Sequence, residues 1–298
     1  MKERIGILTG GGDCPGLNAV IRAVVKTATK LDWETIGFLG GYEGLLDKEY
    51  IPLNYKRMDS LLNRGGTILG TSNKGRYAVK TGVGQVNQLD PNVMAASLKN
   101  FHELGLKALV CVGGDGSLTI AQQLFEGGIP LVGVPKTIDN DLEGTLLTFG
   151  FDSAVSCAMD AIDRLHTTAE SHNRIMIVEL MGRYAGWITL WAGVSGGADV
   201  ILLPEIPFNY QSIYAQIQKR EEVGKRFTII AVSEGAREQG GSVTLAEPME
   251  ANREAKLGGI GDKIAKEITK RFGKECRVCV LGHLQRGGGP TSLDRVLC

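Results

Sequence analysis

The sequence predicts an α/β protein of two domains, each a mostly parallel sheet layered with helices. Three observations lead there. Short apolar runs that read as buried strands recur along the chain, among them residues 5–8, 108–112, 130–134 and 276–281. Between them lie longer stretches with apolar residues at helical spacing, and strands alternating with helices imply parallel pairing. The length, 298 residues, accommodates two such domains. Residues 1–150 together with 290–298 are expected to form the first, and 151–289 the second.

Taken in order, residues 5–8 form the first strand and empty into Thr9-Gly10-Gly11-Gly12-Asp13-Cys14-Pro15-Gly16. A helix follows from about Asn18, with Ile21, Val24, Val25, Ala28 and Leu31 on one face. Strand, glycine-rich turn and helix N-terminus make an anion site, because free N–H groups and the helix dipole both favour negative charge. Neither G-x-G-x-x-G nor G-x-x-x-x-G-K-[ST] is present, which counts against a dinucleotide-binding dehydrogenase and an ordinary P-loop NTPase. Residues 33–39 read as a second strand. The turns Arg64-Gly65-Gly66-Thr67 and Gly70-Thr71-Ser72-Asn73-Lys74-Gly75 are small, polar and basic, as expected of a phosphate channel. Residues 93–104 form a helix leading to the strand at 108–112, which ends in Gly113-Gly114-Asp115-Gly116-Ser117 before a helix at 117–125.

The strand at 130–134 runs into Pro135-Lys136-Thr137-Ile138-Asp139-Asn140-Asp141. A long helix at 152–170 and a strand at 174–180 open the second α/β unit, and Met181-Gly182-Arg183-Tyr184-Ala185-Gly186-Trp187 is its first turn. Further strands are expected at 200–203, 227–232 and 276–281, with helices at 210–224 and 260–272. Residues 234–259 form the longest irregular stretch and are expected to be a mobile loop. The last strand empties into Gly282-His283-Leu284-Gln285-Arg286-Gly287-Gly288-Gly289.

Ligand groups in open α/β sheets gather where strands end. Two such ends supply the carboxylates Asp115, Asp139 and Asp141, the hydroxyl of Thr137 and the ammonium of Lys136. That mixture suits phosphoryl transfer, which needs a magnesium ligand, an acceptor base and donors for the moving charge. Other strand ends add Arg174, Arg183, Glu234, His283 and Arg286; arginine forks and an imidazolium suit a second phosphate.

Composition narrows the partners. A hydrophobic share of 43% and 9 prolines describe a soluble globular chain, and 41 glycines fit loops that press backbone against a ligand. Thirty-three basic residues balance 33 acidic ones, so no nucleic-acid or membrane partner is expected. Met1-Lys2-Glu3-Arg4 shows no signal-peptide core, and no apolar run approaches membrane-spanning length. The six scattered cysteines suit free thiols in a reducing cytoplasm, and Cys276 and Cys279 read as core rather than a metal or redox pair.

Five motifs in this order resemble the ATP- and pyrophosphate-dependent 6-phosphofructokinase family over nearly the whole chain. They are T-G-G-G-D-C-P-G-L-N from Thr9, G-G-D-G-S from Gly113, P-K-T-I-D-N-D from Pro135, M-G-R-Y-A-G from Met181 and G-H-L-Q-R-G-G from Gly282. The resemblance implies two Rossmann-like three-layer α/β/α domains with the active site in the cleft between them. The first would bind the phosphoryl donor and the second fructose 6-phosphate.

By the same resemblance, Asp139 is the base that takes the proton of the sugar 1-hydroxyl, with Thr137 and Arg183 on the transferring phosphoryl. Asp115, helped by Asp141, would hold Mg2+. Gly12, Lys74, Gly114, Gly116, Ser117 and Lys136 belong to the donor side. Met181, Gly182 and Glu234 would grip the fructose ring, and His283 and Arg286 its 6-phosphate. Arg174 and Arg277 would join them from a neighbouring subunit, which implies a homotetramer or homodimer. Relatives continue beyond the position of Cys298 with helices and a closing strand that return to the first domain.

Two positions bear on the donor. Pyrophosphate users resemble G-G-D-D-S, whose second carboxylate crowds a nucleotide's α-phosphate; Gly116 leaves room here for ATP. Lys136, however, is typical of pyrophosphate users. A missing clash outweighs an added cation, so ATP is the expected donor and pyrophosphate the alternative. A bacterial donor-phosphate arginine falls at Asn73, leaving Lys74 as its substitute. The bacterial effector arginines fall at Tyr55 and His166, although Arg22 and Lys26 keep their charge, so control by ADP or phosphoenolpyruvate is not expected. A non-catalytic nucleotide- or sugar-phosphate-sensing subunit remains an alternative, opposed by the intact Asp115, Asp139, Asp141 and Arg183. A kinase for another alcohol leaves Glu234, His283 and Arg286 without purpose.

Overall fold

The computed structural model describes residues 2–72, 75–77, 80–82, 85–246 and 257–298. The chain forms two compact units: Met1–Thr137 with Leu142–Gly150 and Arg286–Cys298, and Ile138–Asp141 with Phe151–Gln285.

The first unit contains, in chain order, β1 (Arg4–Thr9), α1 (Leu17–Lys30), β2 (Glu34–Phe38), α2 (Tyr42–Asp47), β3 (Tyr50–Leu53), the short β4 (Lys80–Gly82) and β5 (Gln85–Val86), α3 (Pro91–Glu103), β6 (Leu106–Gly113), α4 (Asp115–Glu126) and β7 (Leu131–Pro135). Its main sheet has the order β3-β2-β1-β6-β7, parallel except for β3. Leu17, Val20, Ile21, Val25 and Ala28 form the buried stripe of α1. That burial outweighs the modest helix propensity of its β-branched residues. The Asp90 side chain accepts from Asn92 N at 2.7 Å and Pro91 opens α3, a standard N-terminal start. Pro52 lies in the edge strand β3, where its missing N–H breaks no ladder on the solvent side. Phe38, Leu45, Leu109, Leu124 and Ile129 are fully buried in the core of this unit.

The second unit contains α5 (Phe151–His172), β8 (Ile175–Leu180), α6 (Trp187–Ser195), β9 (Val200–Leu202), α7 (Tyr210–Glu222), β10 (Thr228–Ser233), α8 (Ile260–Phe272) and β11 (Cys276–Val280). Its sheet, β11-β8-β10-β9, is wholly parallel. Helix α8 lays Ile260, Ile264 and Ile268 on Ile175, Ile177 and Ile230. Its last turn carries Lys270 and Arg271, favourable to the dipole, and it stops at Gly273 in the left-handed region. A last helix, α9 (Ser292–Leu297), belongs to the first unit.

Parallel sheets in both halves agree with the sequence reading, and α8 spans 260–272 as expected. Some bounds differ for local reasons. The helix expected at 117–125 starts at Asp115, because Gly114 takes the extended cap conformation. The strand expected from 174 begins at Ile175, since Asn173 adopts φ 52° and Arg174 N still bonds back to Ala169 O. Helices α2, α6 and α9 and strands β3, β4 and β5 have no counterpart in the sequence reading. Helix α6 is apolar on both faces, burying Ile188 and Ala192 while Trp187, Trp191 and Val194 stay exposed, so it shows little periodicity. Of the irregular stretch at 234–259, residues 247–256 lie outside the described residues. Its described flanks meet in an antiparallel bridge between Leu245 and Leu257. All six cysteines are free; Cys276 and Cys279 are half-buried on β11.

Ile264 is fully buried at the centre of the second core. Ile264→Ala is expected to cost about 2–5 kcal/mol through lost burial and the cavity left behind. Urea unfolding of the variant beside the wild type measures it.

Candidate active site

The first unit's site is built by register. Thr9 of β1 pairs with Val112 of β6, which pairs with Val134 of β7, so three parallel strands end level. Their turns emerge side by side, neighbours about 5 Å apart. The chain winds outward through β1, β2 and β3, then crosses to β6 and β7 on the other side of β1. The strand order therefore reverses between β1 and β6, the place where open α/β sheets bind ligands.

The glycine-rich turn after β1 is fixed from below by backbone and hydroxyl bonds. Gly10 N donates to Val112 O at 2.9 Å, and Thr71 Oγ1 donates to Gly11 O at 2.6 Å. The two cations that the sequence singled out bind its carbonyls: Lys136 Nζ donates to Gly12 O, and Arg286 Nη1 to Asp13 O at 3.0 Å. Gly10 N and Gly11 N already donate to Val112 O and Ser72 O, so an anion at this turn would be met by the amides that follow them. Cys14 is no nucleophile here; burial pushes its thiol up to about 12. Asn18, fully buried, had not been singled out. Its side chain donates to Gly65 O at 3.0 Å and accepts from Ile68 N at 2.8 Å, which ties the 64–68 turn to the start of α1. Its sequence signal was an amide on an otherwise apolar helix face.

The β6 turn lies alongside. Lys136 N donates to Gly113 O at 2.9 Å, and Tyr42 Oη to Ser117 O at 2.7 Å. Asp115 is exposed in the first turn of α4, and a Cβ placed on Gly116 would meet nothing within 4 Å. Gly116 thus borders open space. Lys74 and Asn73 lie outside the described residues.

In the second unit, Leu180 of β8 pairs with Ser233 of β10, and Val280 of β11 with Glu179. The Met181, Glu234 and His283 turns accordingly leave three adjacent parallel strands at one end of the sheet. Glu234 N donates to Leu180 O at 2.8 Å, and the Glu234 carboxylate accepts from Arg183 N at 3.2 Å. Arg183 has φ 50°, a costly conformation for a residue with a side chain, and one that clusters at functional sites. Gly182 precedes it at φ 137°, and a Cβ there would strike Ala185 O. Asp139 is buried and Asp141 exposed; His283 is exposed in a 3-10 turn. Burial raises the Glu234 carboxyl above its ordinary value, and the Asp139 charge adds to the rise while Arg183 opposes it.

Arg174 and Arg277 lie elsewhere. Arg174 precedes β8 rather than ending it, and Arg277 is the second residue of β11. Both pair with Glu275, Arg174 Nε at 2.6 Å. The six residues of β8, about 20 Å of strand, separate this pair from the Met181 turn of the same chain. Sequence reasoning also missed Glu179, a carboxylate inside the apolar run of β8 that is 2% exposed. Its oxygens accept from Gly259 N at 2.9 Å and Gly261 N at 2.8 Å, capping α8. A lone acid in a buried strand was the available signal.

Asp115 and Asp141 are exposed, and among the described residues no group of three or more His, Cys, Asp or Glu could hold a metal by itself. Magnesium fits such residues, since it takes one or two carboxylates and completes its shell with water and substrate phosphates.

Residues 4–298 match the family described as Phosphofructokinase. The chain is 53% identical over 297 residues to an ATP-dependent 6-phosphofructokinase of Chloroflexus aurantiacus, spanning 99% of this chain and 81% of that protein. It is 50% identical to a pyrophosphate–fructose 6-phosphate 1-phosphotransferase of Amycolatopsis mediterranei, covering 99% of this chain and 83% of the relative. A solved phosphofructokinase from Saccharomyces cerevisiae superposes with TM-score 0.81 at 31% identity, over 99% of this chain and 40% of the yeast chain.

The raised Glu234 carboxyl has a sign. The folded state holds that proton more tightly than the unfolded state, so the contribution is full below the ordinary value of 4.5 and is lost as pH rises through the folded value. Relative to Glu234→Gln, the wild type is expected to lose stability between about pH 4 and pH 7. Urea unfolding of both proteins at the two pH values tests this; a constant difference would remove the effect.

Proposed function

The chain belongs to the phosphofructokinase family, and we propose that it transfers the γ-phosphoryl group of ATP to the 1-hydroxyl of fructose 6-phosphate, giving fructose 1,6-bisphosphate and ADP. The observation that carries this reading is the position of the five motif loops, each at the carboxyl end of a parallel strand. That is where open α/β sheets hold ligands.

Asp139 accepts the proton of the 1-hydroxyl as the sugar oxygen bonds to the γ-phosphorus and the bond to ADP breaks. Thr137 and Arg183 donate to the transferring oxygens, where charge accumulates. The amides of Gly12, Gly114, Gly116 and Ser117, with Lys136 and Lys74, hold the donor phosphates. Met181, Gly182 and Glu234 orient the fructose ring; His283 and Arg286 bind its 6-phosphate. Asp115 and Asp141 would hold Mg2+, which would supply charge neutralisation on the phosphate oxygens. Arg174 and Arg277 serve the sugar phosphate of a neighbouring subunit in a homodimer or homotetramer, a role supported by their distance from the Met181 turn of their own chain. The six free thiols suit the cytoplasm.

A second reading, pyrophosphate as donor, is favoured by Lys136, whose ammonium lies on the Gly12 carbonyl, and by the identity to the Amycolatopsis enzyme. Open space at Gly116 and the closer Chloroflexus relative favour ATP. Parallel coupled assays with fructose 6-phosphate are expected to show faster turnover with saturating ATP than with saturating pyrophosphate; the reverse would replace the donor. Asp139→Asn is expected to keep its melting temperature and lose about 10²–10⁴-fold in kcat. Near-normal turnover in that variant would remove Asp139 from the base role.

A further inference from the structure

We infer that Gly12 is a positioning residue for the acceptor: its missing side chain seats the Arg286 guanidinium, so a residue of the donor turn governs affinity for the sugar 6-phosphate. This rests on the reading of Arg286 as a 6-phosphate ligand.

A Cβ on Gly12 would lie 2.8 Å from Arg286 Nη1, 3.2 Å from Cζ and 3.5 Å from Nη2, so the guanidinium plane covers the place a side chain would take. The same Nη1 donates to Asp13 O at 3.0 Å, which holds the head group in that place. Relief cannot come from the backbone that carries Arg286. Just beyond it, Gly288 and Gly289 press on the chain at 63–65, closely enough that a Cβ on Gly65 would strike Gly288 O. The other side of Gly12 is fixed as well, because its carbonyl accepts from Lys136. Gly12 is not among the glycines with positive φ, so alanine meets no backbone objection there. Space is the whole requirement, and the group that yields is the far end of the arginine. Alanine at 12 should leave the fold intact and displace the guanidinium from the geometry that a bidentate phosphate contact needs.

The test is a steady-state comparison of Gly12→Ala, Arg286→Ala and the double variant, with donor and acceptor varied separately. Gly12→Ala is expected to raise the KM for fructose 6-phosphate about tenfold or more, the scale of one charge-assisted hydrogen bond. It should raise the donor KM by less. In the double variant the alanine at 12 should add nothing to the acceptor KM of Arg286→Ala. An unchanged acceptor KM in Gly12→Ala, or full additivity in the double variant, overturns the inference and leaves the role of Arg286 standing. An unchanged acceptor KM in Arg286→Ala overturns that role, and the inference with it. If turnover becomes too slow to follow, the rise in melting temperature produced by fructose 6-phosphate alone reads the same affinity. That rise should shrink in Gly12→Ala, while the rise produced by ATP should change less; an undiminished fructose 6-phosphate rise overturns the inference.

Discussion

Parallel pairing forces every turn that follows a strand onto the same edge of its sheet. In the first unit the level ends of β1, β6 and β7 bring the glycine-rich turn, the Asp115 turn and Lys136 into one row. In the second, β11, β8 and β10 do the same for His283, Arg183 and Glu234. A shift of one residue in either register would turn each following side chain toward the opposite face. Chemistry in this chain is therefore a property of strand order before it is a property of any residue.

Backbone groups hold several of the buried and half-buried charges. Glu179 is held by two amides at the start of α8, and Lys136 and Arg286 by the carbonyls of Gly12 and Asp13. Pairing a charge with peptide dipoles satisfies its hydrogen bonds while leaving its sign unneutralised. Lys136 and Arg286 thereby lie beside a turn suited to phosphate.

Much of this was legible in the sequence, because loops that meet a ligand use glycine and polar residues in fixed order while strands announce themselves by apolar runs. The turn from Thr9, the Asp115 turn and the helix at 260–272 could all be placed from the sequence. What escaped was whatever depends on the third dimension. Helix α6 hid because its two apolar faces erase the helical period. Asn18 and Glu179 read as a helix amide and a strand acid, and only the folded chain reveals the backbone groups they hold. Arg174 opens the strand expected at 174–180, so grouping it with residues at the carboxyl ends of strands conflicts with its own position, and in the structure it precedes β8.

Among the described residues the groups that bond Glu179 are amides in a buried setting, not cations that dissolved salt can screen. Exposed surface pairs such as Lys48 with Glu103 weaken as salt is added. The junction between β8 and α8 does not share that dependence, and concentrated salt should loosen the periphery of the protein while leaving the second sheet and its helix coupled.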